Sequence, residues 1–384
     1  MSMRILWHSV PPRIFTGYGV QASLFVNGIA DGGHEIAVSA AIDQYHNAMV
    51  DGVFHFASGP RVNLGNDFIS GHILAYKPDI IISMVDSFIM DADKFCNQPW
   101  YAFAMVDSAP VHPARVKALR KCTKVIAPTH DAQLLLANEG IDSYYVPLAF
   151  NPNDYFVTDQ DECRKELSLL WGVDIGDRFL AVNVSANMSR PSRKNFGGLL
   201  KAWSQFVDGR TDNPLLYIHT ETTGMLTGGE DLMMSVELYG VKDSVIFASQ
   251  YQYNTGMFYS DYLRKVYNAA SVLCHTAMGE GFGLPIVEAQ ACGCPVIAPC
   301  FGAMKEVCKT GICSDGIMHM YDPGAEQIIV NVEEIVEALE NMADGMFSDY
   351  EQHISDRVAE YRIDNVMKDN MLPTLKAIES EVKK

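Results

Sequence analysis

Two stretches of this sequence hold residue types and spacings suited to gripping a charged ligand. The first, GEGFGLPIVEAQACG, runs from residue 279 to 293 and sets Glu280 and Glu288 on either side of Gly281, Phe282, Gly283 and Leu284. A strand-like run, SVLCHTA, leads into it. Pro285 suits a first helical position and Gly293 a stop, so the spacing predicts a short helix from about Leu284 to Cys292. The first turn of such a helix offers unpaired backbone N–H groups and the positive end of its dipole, and two glycines let a phosphate approach the backbone closely. Carboxylates accept hydrogen bonds and so suit sugar hydroxyls. Glu280 before the helix and Glu288 a turn inside it are poorly placed as the facing acid and base of a glycoside hydrolase. A purely structural reading is also available, since acids near a helix start favour its dipole.

The second stretch, NVSANMSRPSRKNFGGLLKAW, covers residues 183 to 203. It places Arg190, Arg193 and Lys194 in a loop between a strand and a helix. There they could neutralise a diphosphate, arginine by its planar fork and lysine as a point charge. A solvated surface loop explains any one of the three alone; the anion-seeking helix start in the same half of the chain favours the functional reading.

A third stretch, FTGYGVQAS, satisfies G-x-G-x-x-G/A with Gly17, Gly19 and Ala22. Pro11, Pro12 and several further residues separate it from its strand, so it reads as a flexible glycine loop and not as a dinucleotide fingerprint. Asp91-Ala-Asp93 has the form of a D-x-D metal motif, but it reads as the opening or cap of a helix. His8, His112 and His275 are isolated and His34 is a turn residue, so no histidine cluster has metal-ligand spacing.

The elements that must position these residues alternate. RILWHSV, HEIAVSAAI, DIIISMV, WYAFAMV and KVIAPT are strand-like runs separated by helical patterns, the signature of a parallel α/β sheet buried on both faces. A break at NPNDYFVTDQDECRK is followed by a second set: RFLAVNVS, NPLLYIHTE, SVIFASQ, SVLCHTA and CPVIAPC. The expectation is two Rossmann-like domains facing a cleft, over residues 1–155 and 156–355. A charged helical segment at 356–384 would return to the first domain. A chain of 384 residues exceeds the ~250–300 at which single cores stop growing, in keeping with two domains.

Composition narrows the function classes. Hydrophobic residues make up 48% and charged residues 20%, and no apolar run approaches a membrane span, which describes a folded globular chain with the cytoplasm as its default location. The net charge of −18 argues against a general nucleic-acid or anionic-membrane surface, so any anionic ligand must be held by a few chosen cations. Nine cysteines, irregularly spaced and lacking C-x2-C pairs, read as buried free thiols.

With these residues in place the sequence resembles the retaining glycosyltransferases of the GT-B fold, family 4 (glycosyl transferases group 1). GEGFGLPIVEAQACGCPVIA is similar to that family's E-x7-E segment and RKNFGGLLKAW to its basic loop and helix. GGHEIAV, KVIAPTHDAQLLLANEG and YYVPLAFNPNDYF are similar to elements of its first domain. The resemblance implies a nucleotide-sugar donor, a UDP-sugar before a GDP-sugar, held by the second domain, with no cofactor and no essential divalent metal. It implies that Glu280 binds hydroxyls of the transferred sugar and Glu288 those of the ribose. The amides around Gly281, Phe282, Gly283 and Leu284 would take the distal phosphate. Arg190 and Lys194 would hold the diphosphate, with Arg193 able to stand in for Arg190, and Gly17 and Gly19 would line the phosphates from the first domain. Tyr18, Asp107 and His112 are the acceptor-side candidates. Two departures fall there: MVDSAPVHP stands where relatives often carry a histidine, and Asn151 where aspartate is usual. Lipid, glycan, protein, small metabolite and modified nucleic-acid base all remain open as acceptor. Two other readings compete: a nucleotide-sugar-binding protein without turnover, and an NAD-dependent oxidoreductase. The second requires an acid at the end of the second strand, near Ala41, where Asp43 falls only in the following loop.

Overall fold

The computed structural model describes residues 2–14, 16–58, 63–225, 227–347 and 351–382. The chain divides into two compact units. One comprises Met1–Asn151, Asp322–Ala325 and Glu360–Lys384, the other Pro152–Tyr321 and Glu326–Ala359.

The first unit is built on eight strands: β1 (Arg4–Ser9), β2 (Glu35–Ala40), β3 (Ala48–Val50), β4 (Val53–Phe56), β5 (Ile80–Met84), β6 (Trp100–Phe103), β7 (Lys124–Ala127) and β8 (Ser143–Tyr145). Their order is β3-β4-β2-β1-β5-β6-β7-β8, and only the β3–β4 pair is antiparallel. Helices α1 (Gly17–Asp31), α2 (Ile69–Tyr76), α3 (Pro113–Leu119) and α4 (His130–Asn138) connect them. β1 and β5 are buried almost throughout because helices cover both faces, which is why they read as unbroken apolar runs. Trp7, Phe25 and Phe103 fill one side with ring centroids 5.6–6.0 Å apart. The chain end returns to this unit: Phe150 and Tyr361 share a backbone hydrogen bond of 2.9 Å, and the Tyr144 hydroxyl donates to Glu381 at 2.7 Å. Glycine at position 28 makes room for Met367, whose Cγ would lie 2.7 Å from a Cβ there.

The second unit carries β9 (Leu180–Val184), β10 (Leu215–His219), β11 (Val245–Phe247), β12 (Val272–Cys274), β13 (Val296–Pro299) and β14 (Gly311–Ser314), all parallel, in the order β11-β10-β9-β12-β13-β14. A separate ribbon pairs β15 (Gly316–Asp322) with β16 (Ala325–Val330). The helices are α5 (Gln160–Trp171), α6 (Phe196–Val207), α7 (Leu232–Leu238), α8 (Gln250–Asn254), α9 (Ser260–Ala269), α10 (Leu284–Ala291), α11 (Gly302–Val307) and α12 (Val332–Ala343). α6 is anchored by Trp203, fully buried, whose indole N–H donates to Ser244 at 2.9 Å.

Both sheets follow the doubly wound order in which the first and fourth parallel strands lie side by side and the connections then run outward in opposite directions. Such sheets gather ligands at the carboxyl ends of those two strands. In the second unit that position lies between the loop leaving β9, which is the basic stretch, and the loop leaving β12, which is the glycine-rich one.

Candidate active site

The loop after β9 is held by a buried asparagine. Asn187 donates through Nδ2 to the carbonyls of Glu221 and Glu230 at 3.0 and 2.7 Å, and its Oδ1 accepts the Glu230 amide at 2.9 Å. Glu230 in turn accepts the Ser192 amide at 2.9 Å. From this latch the chain turns into α6 through Asn195, whose side chain caps the helix by accepting the Gly198 amide at 3.1 Å. The neighbouring loop joins directly: the Met278 amide donates to the Arg193 carbonyl at 2.8 Å, and the Thr276 hydroxyl to the Lys194 carbonyl at 3.1 Å.

Those backbone ties bring side chains together. Lys194 Nζ meets Glu280 Oε1, Arg193 lies 3.5 Å from Glu280 Oε2 and also donates to the Gly279 carbonyl, and His275 Nε2 stands 3.1 Å from Glu280 Oε1. Burial opposes the Glu280 charge, but Lys194 and Arg193 overcome it and hold the carboxyl well below its ordinary value. Burial likewise lowers His275, so the neutral ring is favoured, with Nε2–H donating to Glu280. Its Nδ1 is buried without a partner. Lys194 and Arg193 bring two positive charges against the one negative charge of Glu280, leaving the cluster cationic.

The helix forms as its sequence predicts. α10 runs from Leu284 to Ala291 with Pro285 in its first turn, Gly293 follows in the left-handed region, and no side chain caps its start. Gly283 is the N-cap at φ 101, a conformation that L side chains rarely adopt. Glu288 projects from within the helix. Its Oε2 accepts the Tyr267 hydroxyl at 3.1 Å, and Tyr155 also bonds it. Burial pushes this carboxyl up to about 7, against the two tyrosine hydrogen bonds that favour its charge.

Arg190 does not join Glu280. It is exposed, and its guanidinium donates to the Gly229 carbonyl, so Arg193 takes the position beside Lys194. In the first unit Gly17, Tyr18 and Gly19 are not a flexible loop but the first turn of α1. Thr16 caps that helix by accepting the Gly19 amide at 3.2 Å, and a Cβ on Gly19 would lie 1.9 Å from the Ile14 carbonyl oxygen. A close backbone approach explains that glycine. Asp107 and His112 have different partners: Asp107 accepts from the buried Arg115 at 3.2 Å, while His112 caps α3 and meets Asp322 at 2.6 Å. Tyr18 donates to Asp86 at 3.3 Å, and Asp86 lies 3.9 Å from Arg115.

Residues 181–344 match the family model for glycosyl transferases group 1. Over 65 residues the chain is 40% identical to a D-inositol 3-phosphate glycosyltransferase of Mycolicibacterium gilvum, a match that covers 17% of this chain and 14% of that protein. The structure superposes on sucrose-phosphate synthase from Thermosynechococcus elongatus with a TM-score of 0.77 at 16% identity, covering 99% of this chain and all of the other. It superposes on the α,α-trehalose 6-phosphate synthase of Burkholderia multivorans with a TM-score of 0.71 at 11% identity, covering 100% and 98% of the two chains. The fold is GT-B.

Within this GT-B chain several site residues escape sequence reasoning. His275 looks isolated because its partner lies five positions on, across the turn that leaves β12. Asn187, Glu230, Tyr155 and Tyr267 act across 21 or more positions, and no local spacing signals them. Arg115 could have been found as the first cation after MVDSAPVHP. The cysteines are all free, but only Cys163, Cys274, Cys292 and Cys294 are buried; Cys96 and Cys313 are exposed, which corrects the expectation for the set. Among the described residues no helix is long and apolar enough to cross a membrane.

Proposed function

We propose that this protein transfers a sugar, with retention, from a nucleotide diphosphate sugar to a hydroxyl acceptor in the cytoplasm, with a UDP-sugar preferred to a GDP-sugar. The observation that carries the reading is the cationic cluster of Arg193, Lys194, Glu280 and His275 beside the uncapped start of α10, at the switch point of the second sheet.

Cleaving the bond from the anomeric carbon to phosphate leaves positive charge on the sugar and negative charge on the diphosphate. Cations and helix amides already in position lower that barrier because they need no reorganisation as the charge develops. Lys194 and Arg193 are the cations, and the amides around Gly281, Phe282, Gly283 and Leu284 are the donors to the distal phosphate. Glu280 neutralises part of the cluster. A bound diphosphate would compete for the same two cations and free the Glu280 carboxylate to accept from sugar hydroxyls, while His275 holds that carboxylate in place. Glu288 would accept from the ribose. Departure of an anion that can itself take the acceptor proton requires no separate side-chain base.

The test is a time course of nucleoside diphosphate release from purified protein with a panel of nucleotide sugars and hydroxyl acceptors. Release faster than the protein-free control, abolished in Lys194→Ala, is the expected result. Tight donor binding without release across the panel would instead support a binding protein without turnover.

A further inference from the structure

Beside the two cations of the second unit stands a histidine, the side chain whose ordinary titration falls closest to neutral pH. His275 follows β12 and is fully buried, its amide donating to the Ile297 carbonyl at 2.8 Å. Its Nε2 lies 3.1 Å from Glu280 Oε1, the oxygen that Lys194 also meets, while Arg193 lies 3.5 Å from Glu280 Oε2. Those three are the charged groups that act on the ring.

The tautomer follows from these partners. Nε2 faces a carboxylate, which only accepts, so the hydrogen sits on Nε2 and Nδ1 is left as an acceptor. Nδ1 is buried without a partner. The paired strand β9 carries a second such acceptor: Asn183 donates through Nδ2 to the Cys274 carbonyl at 2.7 Å, and its Oδ1 is buried without a partner. A proton added at Nδ1 would turn one of two orphaned acceptors into a donor.

Charge decides when that proton is favoured. Lys194 and Arg193 outweigh the single carboxylate of Glu280, and both a positive surrounding and burial oppose an imidazolium. The diphosphate of a nucleotide sugar brings two negative charges, so its arrival reverses the sign of that total. The reversal favours the charged ring.

Resting on the donor reading given above, we infer that His275 takes up a proton from solvent at Nδ1 when a diphosphate binds Lys194 and Arg193, and returns it to solvent when the diphosphate leaves. His275 is then a positioning residue with two states. Neutral, it gives Glu280 one hydrogen bond; charged, it replaces the cations that the diphosphate draws to itself, and so keeps the buried Glu280 carboxylate ionised and oriented towards sugar hydroxyls. Only an N–H bond forms and breaks, and the proton is exchanged with solvent.

The ring can be read without any assay of sugar transfer. Full-length protein with isotopically labelled histidine nitrogens is titrated by NMR, and the His275 signals are assigned by their loss in His275→Gln. Inorganic diphosphate is the probe, because it lacks a ribose and leaves Glu288 out of the reading. In the protein alone at about pH 7.5 one ring nitrogen should carry no hydrogen, and saturating diphosphate should protonate both. Calorimetry in buffers of different ionisation enthalpy should show wild type taking up about one proton more per diphosphate than His275→Gln. Lys194→Met removes one cation with no ligand present. Lys194 and His275 meet the same carboxylate oxygen, so that variant should raise the pH at which the ring titrates by about 1–3 pH units. Diphosphate that binds while the ring stays neutral would overturn the inference, as would a Lys194→Met titration that coincides with wild type. Diphosphate that does not bind at all counts against the donor reading itself, and Lys194→Met then decides alone whether His275 answers to the charge beside it.

Discussion

The two sheets share a strand order, and each delivers charged side chains from the carboxyl ends of the strands at and beside its switch point, yet they use those charges in opposite ways. In the first unit Asp86 follows β5 and Asp107 follows β6, and both face one guanidinium, Arg115, whose side chain is 6% exposed. Two acids around one buried cation form a set that carries net negative charge. In the second unit Arg193 and Lys194 face the single carboxylate of Glu280, and the adjoining helix start is left uncapped. One topology therefore yields a surplus of negative charge in one place and a surplus of positive charge in the other. The positive set suits an anionic leaving group; the negative set does not.

The first way to test that contrast is to remove the cation of the negative set. Arg115→Ala leaves Asp86 and Asp107 without their cation, and removing one partner of a buried pair costs about 3–5 kcal/mol. Because the two aspartates are 38% and 21% exposed, the low end of that range is expected. Denaturant unfolding reads it directly. A loss below about 1 kcal/mol would mean that solvent screens the network, as it does a surface pair.

The second test removes the surplus. Lys194→Ala should leave the fold intact and lower kcat by about 100- to 1,000-fold, as expected when one preorganised group facing developing charge is lost. Arg190→Ala should change it by no more than about twofold, since that side chain is exposed and serves a backbone carbonyl. Equal effects of the two would return Arg190 to the site and sink the assignment of Arg193.

How far these features could be read from sequence follows from the range of the interactions. The helix start at Leu284, Pro285 and the stop at Gly293 are set by neighbours in the chain, so α10 is legible to within a residue. The alternation of apolar runs and helical patterns discloses both sheets for the same reason. The geometry of Gly19 is not legible: a glycine in G-x-G-x-x-A could serve a phosphate or a close backbone contact, and only the Ile14 carbonyl decides between them. The choice of Arg193 over Arg190 depends on Gly229, which draws Arg190 away from 39 positions along the chain. Burial without a facing cation raises Glu288 against its two tyrosine hydrogen bonds, while Lys194 and Arg193 from another loop lower Glu280, so two glutamates of one motif, alike in sequence, come to differ in charge.

That last difference gives the finest test. Glu280 is held well below its ordinary carboxyl value by Lys194 and Arg193 despite burial, so the stability it contributes is present above that value and is lost as pH falls through its lowered one. Glu288 runs the other way. Burial raises it from 4.5 to about 7, so its contribution is complete below 4.5 and is lost as pH rises through about 7. For the ribose contact proposed above the ionised form is the better acceptor, so donor affinity should weaken as pH drops below about 7 while the fold gains from the same protonation. The Tyr267 hydroxyl favours the Glu288 charge, and Tyr267→Phe removes that hydrogen bond, worth about 1.5–3 kcal/mol to a charged acceptor. The variant should move the acidic limb of the donor-affinity profile to higher pH, measured by titration calorimetry with the nucleoside diphosphate, while Tyr267→Phe and wild type converge at high pH where both carboxylates are ionised. If the limb stays where it is, the group titrating there is not Glu288, and the ribose contact must be sought elsewhere on α10.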